Sequence, residues 1–487
     1  MTDPLILVLD AGTTSTRAML FTARGELRGA AQRELAQHYP RPGWVEHDAA
    51  EIWDKTLACA RDMVAQAGGA DHVAAIGIAN QRETVVAWDR ASGEPLARAI
   101  VWQDRRTEGF CKELRAAGHE DAVREATGLL LDPYFSATKM RWLLDHEPAL
   151  AAAARAGRLA FGTIESWLAF KLTGAHLSDA ANASRTQLLP LAGASWDEGL
   201  CDLFGVPRGA LPQVVDSAGD FGTTELFGAP IRLCGMAGDQ QAATIGQGCL
   251  APGETKATYG TGAFVLANMG RTVPRSDNRL LGTVLHQLGD ERHYALEGSV
   301  FVAGSLIRWL RDSLRMIVRA GESEELARSV PDNAGVVVVP ALSGLGAPHW
   351  RAEARAAITG LSFAATRAHV VRAALEAISH QTQDLAAAFA ADGARWTTLR
   401  IDGGMSANDW LAQDIADLTA LPVVRPGFVE TTALGAAMLA AVGAGIHPSL
   451  GQAAAAMIGG TRRFEPAMDG AAREVRLSAW SQALAAV

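Results

Sequence analysis

Near its start the chain runs through five apolar residues, Leu5-Ile-Leu-Val-Leu9, then Asp10, a glycine turn, and a second apolar stretch ending Ala18-Met-Leu-Phe21. Such a run fits a strand covered on both faces, and Gly12 permits a sharp reversal that a side chain would hinder. The turn carries chemistry as well as geometry. Thr13, Thr14 and Ser15 supply consecutive hydroxyls and backbone N–H groups that suit a phosphate, and Arg17 is placed to reach one. Asp10, at the strand end, offers a carboxylate to a magnesium ion. The sequence holds neither a Gly-x4-Gly-Lys-Ser/Thr loop nor a Gly-x-Gly-x-x-Gly fingerprint, so a nucleotide would be held another way. Alone, this segment reads as an ordinary Gly-Thr β-turn.

The plan recurs in the second half. Lys256-Ala-Thr-Tyr259-Gly260-Thr261-Gly262-Ala-Phe264-Val-Leu-Ala267 is again strand, Gly/Thr turn and apolar strand. Two such hairpins suggest a duplicated fold, and 487 residues exceed one compact core, so two large lobes are expected. A net charge of −9 with no basic run argues against nucleic acid or an anionic membrane as partner. The phosphates of a ligand must then be met by local donors. Five cysteines without a Cys-x-x-Cys read as reduced packing residues of a cytosolic protein, and no His-x-x-x-His pair suggests a transition metal. Met1 to Val8 lacks the basic segment of a signal peptide, and no stretch reaches transmembrane length, so stable membrane insertion is not expected.

Between the hairpins, Asp48 reads as the N-cap of a packing helix through Ile52, Trp53, Leu57, Ala60, Met63 and Val64. The buried strand Val73 to Ile78 ends in Asn80-Gln81-Arg82-Glu83-Thr84, at the strand end where open α/β sheets bind ligands. Arg82 and Glu83 offer donors and acceptors to a polyol, and Trp102 and Tyr134 an apolar wall with a polar rim. The strand Ile231 to Met236 leads to Gly238-Asp239-Gln240-Gln241 at a helix start, where an Asp is either a cap or a catalytic group. Gly246 to Gly253 marks the boundary between lobes. Beyond it, Val336 to Pro340 reads as a buried strand, and Asp402-Gly403-Gly404-Met-Ser406-Ala-Asn408 as a strand, glycine turn and helix start. Glu430 to Met438 is expected to be packing that closes the second lobe. The segment Asp179-Ala-Ala-Asn182-Ala-Ser-Arg185-Thr186 has no role that the residues themselves disclose.

Asp10-x-Gly-Thr-Thr together with Tyr259-Gly-Thr-Gly resembles the FGGY carbohydrate kinases of the actin-like, ribonuclease H-like ATPase superfamily. Trp44-Val-Glu-His-Asp48, Asn80 to Thr84, Trp102-Gln, Asp132-Pro-Tyr-Phe135, Gly238 to Gln241 and Gly344-Leu-Gly-Ala-Pro348 extend the resemblance along nearly the whole chain. It implies an α/β protein of two ribonuclease H-like domains, residues 1–247 and 248–487, flanking a cleft. It also implies ATP-dependent phosphorylation of glycerol to sn-glycerol 3-phosphate with Mg²⁺, in a cytoplasmic homo-oligomer, dimer or tetramer. By the same resemblance Asp239 is the general base and, with Asp10, a magnesium ligand. Arg82, Glu83, Tyr134, Asp239 and Gln240 would hydrogen-bond glycerol, with Trp102 and Phe264 covering its carbons. Thr13, Thr14, Ser15, Arg17 and Thr261 would hold phosphates, and Gly304, Arg308, Gly404 and Asn408 would lie along the nucleoside. Arg308 stands where a Gln is expected, which alters the contact to the base. The loop Phe221 to Pro230 lacks the glycine-rich, arginine-bearing segment that binds fructose bisphosphate in some relatives, so no such inhibition is expected. Two other readings stay open: a sibling kinase for another polyol or ketose, and a non-catalytic actin-like ATPase.

Overall fold

The computed structural model describes residues 4–351 and 353–487. Strands β1 (Leu5–Ala11) and β2 (Ser15–Thr22) form the expected hairpin, and β2 pairs onward with β3 (Leu27–Glu34). On the other side of β1, β4 (Val73–Asn80) and β5 (Ile231–Gly238) add in parallel. The order is therefore β5-β4-β1-β2-β3, with the short strand Thr223–Thr224 at the β5 edge.

The second sheet repeats it. Here β6 (Glu254–Tyr259) pairs antiparallel with β7 (Ala263–Gly270), β8 (Leu281–Leu288) and β9 (Glu291–Val300) follow, and β10 (Thr398–Asp402) and β11 (Val423–Pro426) add in parallel. Its order β8-β9-β7-β6-β10-β11, then Thr461–Phe464, contains the same five-strand arrangement, β11-β10-β6-β7-β9. The repeat bears out the duplication expected from the paired hairpins, and two ribonuclease H-like units in tandem are the fold that the resemblance implies.

The apolar run of β1 is buried on both faces because helices cover both. Leu7 and Leu9 pack with Ile52, Trp53 and Met63 of α1 (Ala49–Ala67). Ile6 and Val8 pack against α2 (Asp239–Gly246) and a helix from the far end of the chain. Helix α1 starts where expected: Asp48 Oδ1 accepts from the N–H of Ala50 at 2.9 Å, and Gly68 ends it in the left-handed region at φ 90°. In the second lobe α3 (Gly304–Asp312) begins just past β9, while α4 (Arg367–Ala391) and α5 (Asp409–Thr419) cover the outer face of the sheet. Val337–Val339 does not join that sheet and pairs with Ala357–Thr359 in a separate ribbon. A mostly helical insert between β4 and β5 has its own core around Leu131, Met140, Phe161, Leu189 and Phe204. Among the described residues, the five cysteines are buried free thiols, and no helix is long and apolar enough to cross a membrane.

One element lies elsewhere than the sequence reading places it. Helix α6 (Thr431–Gly443) does not close the second lobe but packs on the first sheet and on α2, with Ala436, Met438 and Ala440 beside Ile6, Val8 and Ala75. The reason is its composition, Thr-Thr-Ala-Leu-Gly-Ala-Ala-Met-Leu-Ala-Ala-Val-Gly: a helix without a polar face must be covered all round. It crosses α2 backbone to backbone. A Cβ on Gly435 would stand 1.8 Å from the Ala242 carbonyl oxygen, and one on Gly246 1.9 Å from that of Thr431. Overpacking of this kind costs about 1–3 kcal/mol, so Gly435→Ala should lower the thermal midpoint clearly. Gly404→Ala, whose Cβ meets nothing within 4 Å, should leave it unchanged in the same calorimetric comparison.

Candidate active site

Both hairpin turns are closed by a backbone hydrogen bond, across residues 12–15 in the first and the shorter loop 260–262 in the second. In the first, the Gly12 N–H donates to the Ser15 carbonyl at 3.0 Å, and the Trp102 indole N–H donates to Thr13 Oγ1 at 3.0 Å. In the second, the Gly260 N–H donates to the Gly262 carbonyl at 2.9 Å. Glycine is required around this turn: a Cβ on Gly304 would lie 2.4 Å from the Gly260 oxygen, and one on Gly403, at φ 84°, 2.5 Å from the Tyr259 oxygen. The start of α3 closes over it, as the N–H groups of Ala303 and Ser305 donate to the Thr261 carbonyl. Arg308, on the first turns of α3, donates to Thr261 Oγ1 at 2.8 Å. This places its guanidinium at the phosphate turn. Thr14, Thr261, Arg308 and Gly404 are exposed. Asn408 serves the fold: its Oδ1 caps α5 by accepting from the Leu411 N–H at 2.9 Å.

Asp10 and Arg17 are paired with each other at 2.5 Å, and Arg17 also grips Glu430 at 2.6 Å, one residue before α6. Burial raises the Asp10 carboxyl above its ordinary range despite that arginine.

The residues expected to meet a polyol gather at the end of β4. Gln81 is tied to the first turn through its Nε2, which donates to the Gly12 carbonyl at 2.9 Å, and its Oε1 accepts from Thr84 Oγ1 at 2.8 Å. Arg82 points its fork at Glu297 of β9, Nη1 to Oε2 at 2.5 Å and Nη2 to Oε1 at 3.1 Å, while Nη2 also reaches Tyr134 Oη at 3.3 Å. Its Nε lies 3.4 Å from Asp239 Oδ1. Glu83, left-handed at φ 62°, accepts from Arg185 Nε at 2.6 Å. The Trp102 and Tyr134 rings meet edge to face, with centroids 5.7 Å apart. Phe264 is half-buried on β7, directly opposite Thr258 and Ser299. Residues directly opposite in antiparallel strands share a face, so Phe264 stands on the same side of the sheet as Lys256 and Glu297, away from the lobe core of Ala257, Tyr259 and Val265.

Asp239 begins α2 and accepts from its own helix at the Gln240 N–H, 2.7 Å away. Burial pushes its carboxyl up from 3.8, against the pull of Arg82 and then Lys256, and the charge of Asp10 pushes the same way as burial. The groups that act on it thus come from both hairpins. Lys256 Nζ donates to Gln240 Oε1 at 2.5 Å, and burial lowers its pKa against the opposing carboxylates of Asp402 and Asp239.

The structure therefore links Arg82 to Glu83, Tyr134 and Asp239, Trp102 to Tyr134, and Gln240 to Asp239, while Phe264 stands on the sheet face that carries Lys256 and Glu297. Four charged residues of this neighbourhood had no role in the sequence reading: Arg185, Lys256, Glu297 and Glu430. Glu297 and Lys256 had a visible signal, an ionisable residue inside a buried strand, which is rarely kept there without a partner. Burial works to raise Glu297, but Arg185 and Arg82 overcome it and hold the carboxylate down at about 2, from 4.5. A carboxylate with a depressed folded pKa stabilises fully above its unfolded value and loses that contribution as pH falls through the folded one. The stability gap between the native chain and Glu297→Gln should therefore narrow as pH is lowered from about 6 toward 3 in urea titrations, with a constant gap contradicting the ion-pair account.

Known proteins resemble this chain over nearly its whole length. The family model for the N-terminal domain of the FGGY family of carbohydrate kinases matches residues 5–246, and that for its C-terminal domain residues 255–444. A glycerol kinase of Rhodospirillum rubrum is 53% identical over 491 aligned positions, covering 99% of this chain and 98% of its own. Plasmodium falciparum glycerol kinase with ADP superposes at a TM-score of 0.95 with 34% identity, over 99% of this chain and 98% of the other. A xylulose kinase of Rhodospirillum rubrum superposes at 0.88 with 26% identity, over 99% and 98%. With matched models across both halves, the chain belongs to the FGGY family of carbohydrate kinases.

Proposed function

We propose that the chain transfers the γ-phosphoryl group of ATP to a terminal hydroxyl of glycerol, giving sn-glycerol 3-phosphate and ADP. The observation that carries this reading is the position of Asp239, which lies between two phosphate-type hairpins and beside the Arg82, Glu83, Tyr134 and Trp102 cluster. An actin-like ATPase without an acceptor has no need of that cluster. Likeness to glycerol kinases over the full length supports the same substrate.

In this reading Arg82, Glu83 and Tyr134 bind the hydroxyls, and the Trp102 and Phe264 rings cover the carbons. Asp239 accepts the proton of the attacking hydroxyl, and the raised pKa suits it to that task. Thr13, Thr14, Ser15 and Thr261 donate to phosphate oxygens, with Arg17 and Arg308 adding charge. Gly304 and Gly404 leave backbone open beside the nucleoside.

Asp10 and Asp239 fit a magnesium ion: Asp10 is buried and Asp239 partly exposed, both carboxyls are raised above their ordinary range, and the charge of Asp10 adds to the rise at Asp239, a repulsion a divalent cation relieves. Bound there with the nucleotide, Mg²⁺ would neutralise charge on the phosphates. Approach of a lobe to a small acceptor would exclude water, which competes with glycerol for the phosphoryl group.

Two measurements test this. ADP release from Mg-ATP should be strongly stimulated by glycerol and little by xylulose, erythritol or no acceptor. Propane-1,2-diol and propane-1,3-diol should be poor substrates, since a site built to bond a hydroxyl rejects analogues lacking it by up to about 10⁴–10⁵-fold. Turnover with xylulose alone would reassign the pocket, and acceptor-independent turnover would favour the ATPase reading. Asp239→Asn should lose about 10²–10⁴-fold in kcat while still binding ADP in calorimetry. Near-native turnover would remove Asp239 as the base.

A further inference from the structure

The segment Asp179 to Thr186, silent in the sequence, delivers Arg185 to the centre of the molecule. Asp179 caps its short helix by accepting from the N–H groups of Ala181 and Asn182, and Asn182 Nδ2 donates to Asp179 Oδ1 at 2.7 Å and to Asn80 Oδ1 at 3.0 Å. Asn80 in turn donates to Glu165 at 3.1 Å. The turn is thereby locked to the end of β4, two residues before Arg82. Arg185 is fully buried, with its guanidinium over the Phe135 and Tyr134 rings at 5.3 and 5.7 Å. One side of its fork takes Glu83, and Nη2 reaches Glu297 Oε1 at 3.3 Å.

The result is a chain of buried charges, Glu83, Arg185, Glu297 and Arg82, in which Glu297 comes from the second lobe and the other three from the first. The consequence lies in what Arg82 would do without it. Its nearest remaining carboxylate is Asp239, 3.4 Å from Nε and not now in hydrogen-bond contact, with Glu83 next at 3.9 Å. A desolvated arginine cannot be left unpaired, so it would turn its fork onto Asp239.

We propose that Glu297 and Arg185 are positioning residues of the polyol site: Glu297 holds the Arg82 fork away from Asp239 across the lobe boundary, and Arg185 holds Glu83 in its left-handed conformation. The substrate box of the first lobe is thus complete only with the second lobe in place. This rests on the proposed phosphorylation of glycerol. Neither residue needs to touch the substrate. The Glu83 backbone supports the idea independently, since a left-handed non-glycine residue persists only where its surroundings over-determine it. Here these are the Arg185 ion pair and the Ser136 hydroxyl, which donates to the Glu83 carbonyl at 3.0 Å. Within the chain of ion pairs the charges balance, Arg82 and Arg185 facing Glu83 and Glu297.

The test uses the whole enzyme and three chains: native, Glu297→Gln, and the charge-balanced double variant Arg185→Gln/Glu297→Gln. Misplacement of a binding group by about 1 Å costs up to about 10²-fold, so Glu297→Gln should raise the glycerol KM about 10- to 100-fold with the ATP KM within about twofold. The single variant leaves an unbalanced buried charge and should melt lower, whereas the double variant removes one charge of each sign and should recover the thermal midpoint. Its glycerol KM should stay high. A merely structural role predicts the opposite, with KM returning as stability returns, and that result would overturn the proposal, as would a glycerol KM within about twofold of native in either variant. Should Glu297→Gln not fold, the double variant decides alone. A native enzyme that does not phosphorylate glycerol would instead refute the reading on which the proposal rests.

Discussion

The contact on which the rest of this molecule turns is the one between the backbones of Gly246 and Thr431, with Gly435 lying against Ala242 one turn on. Only glycine lets two helices approach so closely, and the approach joins the ends of the two lobes. Helix α2 starts with Asp239 and ends at this crossing. Helix α6 starts here, and its first residues hold one group from each lobe: Glu430 pairs with Arg17 of the first hairpin, and the Thr431 hydroxyl donates to Asp402 at the end of β10 at 2.5 Å. Asp239, Arg17 and the second sheet are thereby tied to one crossing.

Taking ions from water is expensive, and a buried pair repays it only with good geometry and all partners met. Here the geometry is that of forked arginines on carboxylates, which is directional where a lysine would not be. Directionality is what a small polyol demands. Glycerol presents little apolar area, so discrimination must come from donors and acceptors whose positions do not drift, and the ion network supplies rigidity where hydrophobic packing cannot. The same network explains why a charged Glu297 persists on a strand whose neighbours Ala295 and Leu296 are fully buried.

Much of the architecture was legible locally. The both-face burial of β1, the glycine turns, the Asp48 cap and the repeat of the hairpin were all written in runs of a few residues. The candidate site was legible in part, because Arg82, Glu83, Asp239 and the aromatic pair lie at strand ends or helix starts where ligands collect. Arg308 was expected along the nucleoside, and nothing in its neighbours tells that its fork reaches Thr261, 47 positions earlier. Asn408 was expected there too, and that its Oδ1 also caps α5 is a detail the sequence left open. The lobe to which α6 belongs was not legible either. Its periodicity states that it is buried but not against what.

What the chain's own order of residues determines, then, is everything set by steric and hydrophobic rules acting over one turn or one strand: element types, turn conformations, the duplication and the chemical character of the cleft. What folding alone decides is which charges meet. Arg82 and Glu297 are 215 positions apart, and Arg17 and Glu430 are 413 apart. No local pattern encodes such a pair, because a charge's partner is selected by Coulomb energy in a low-dielectric interior that exists only once both sheets have formed around it.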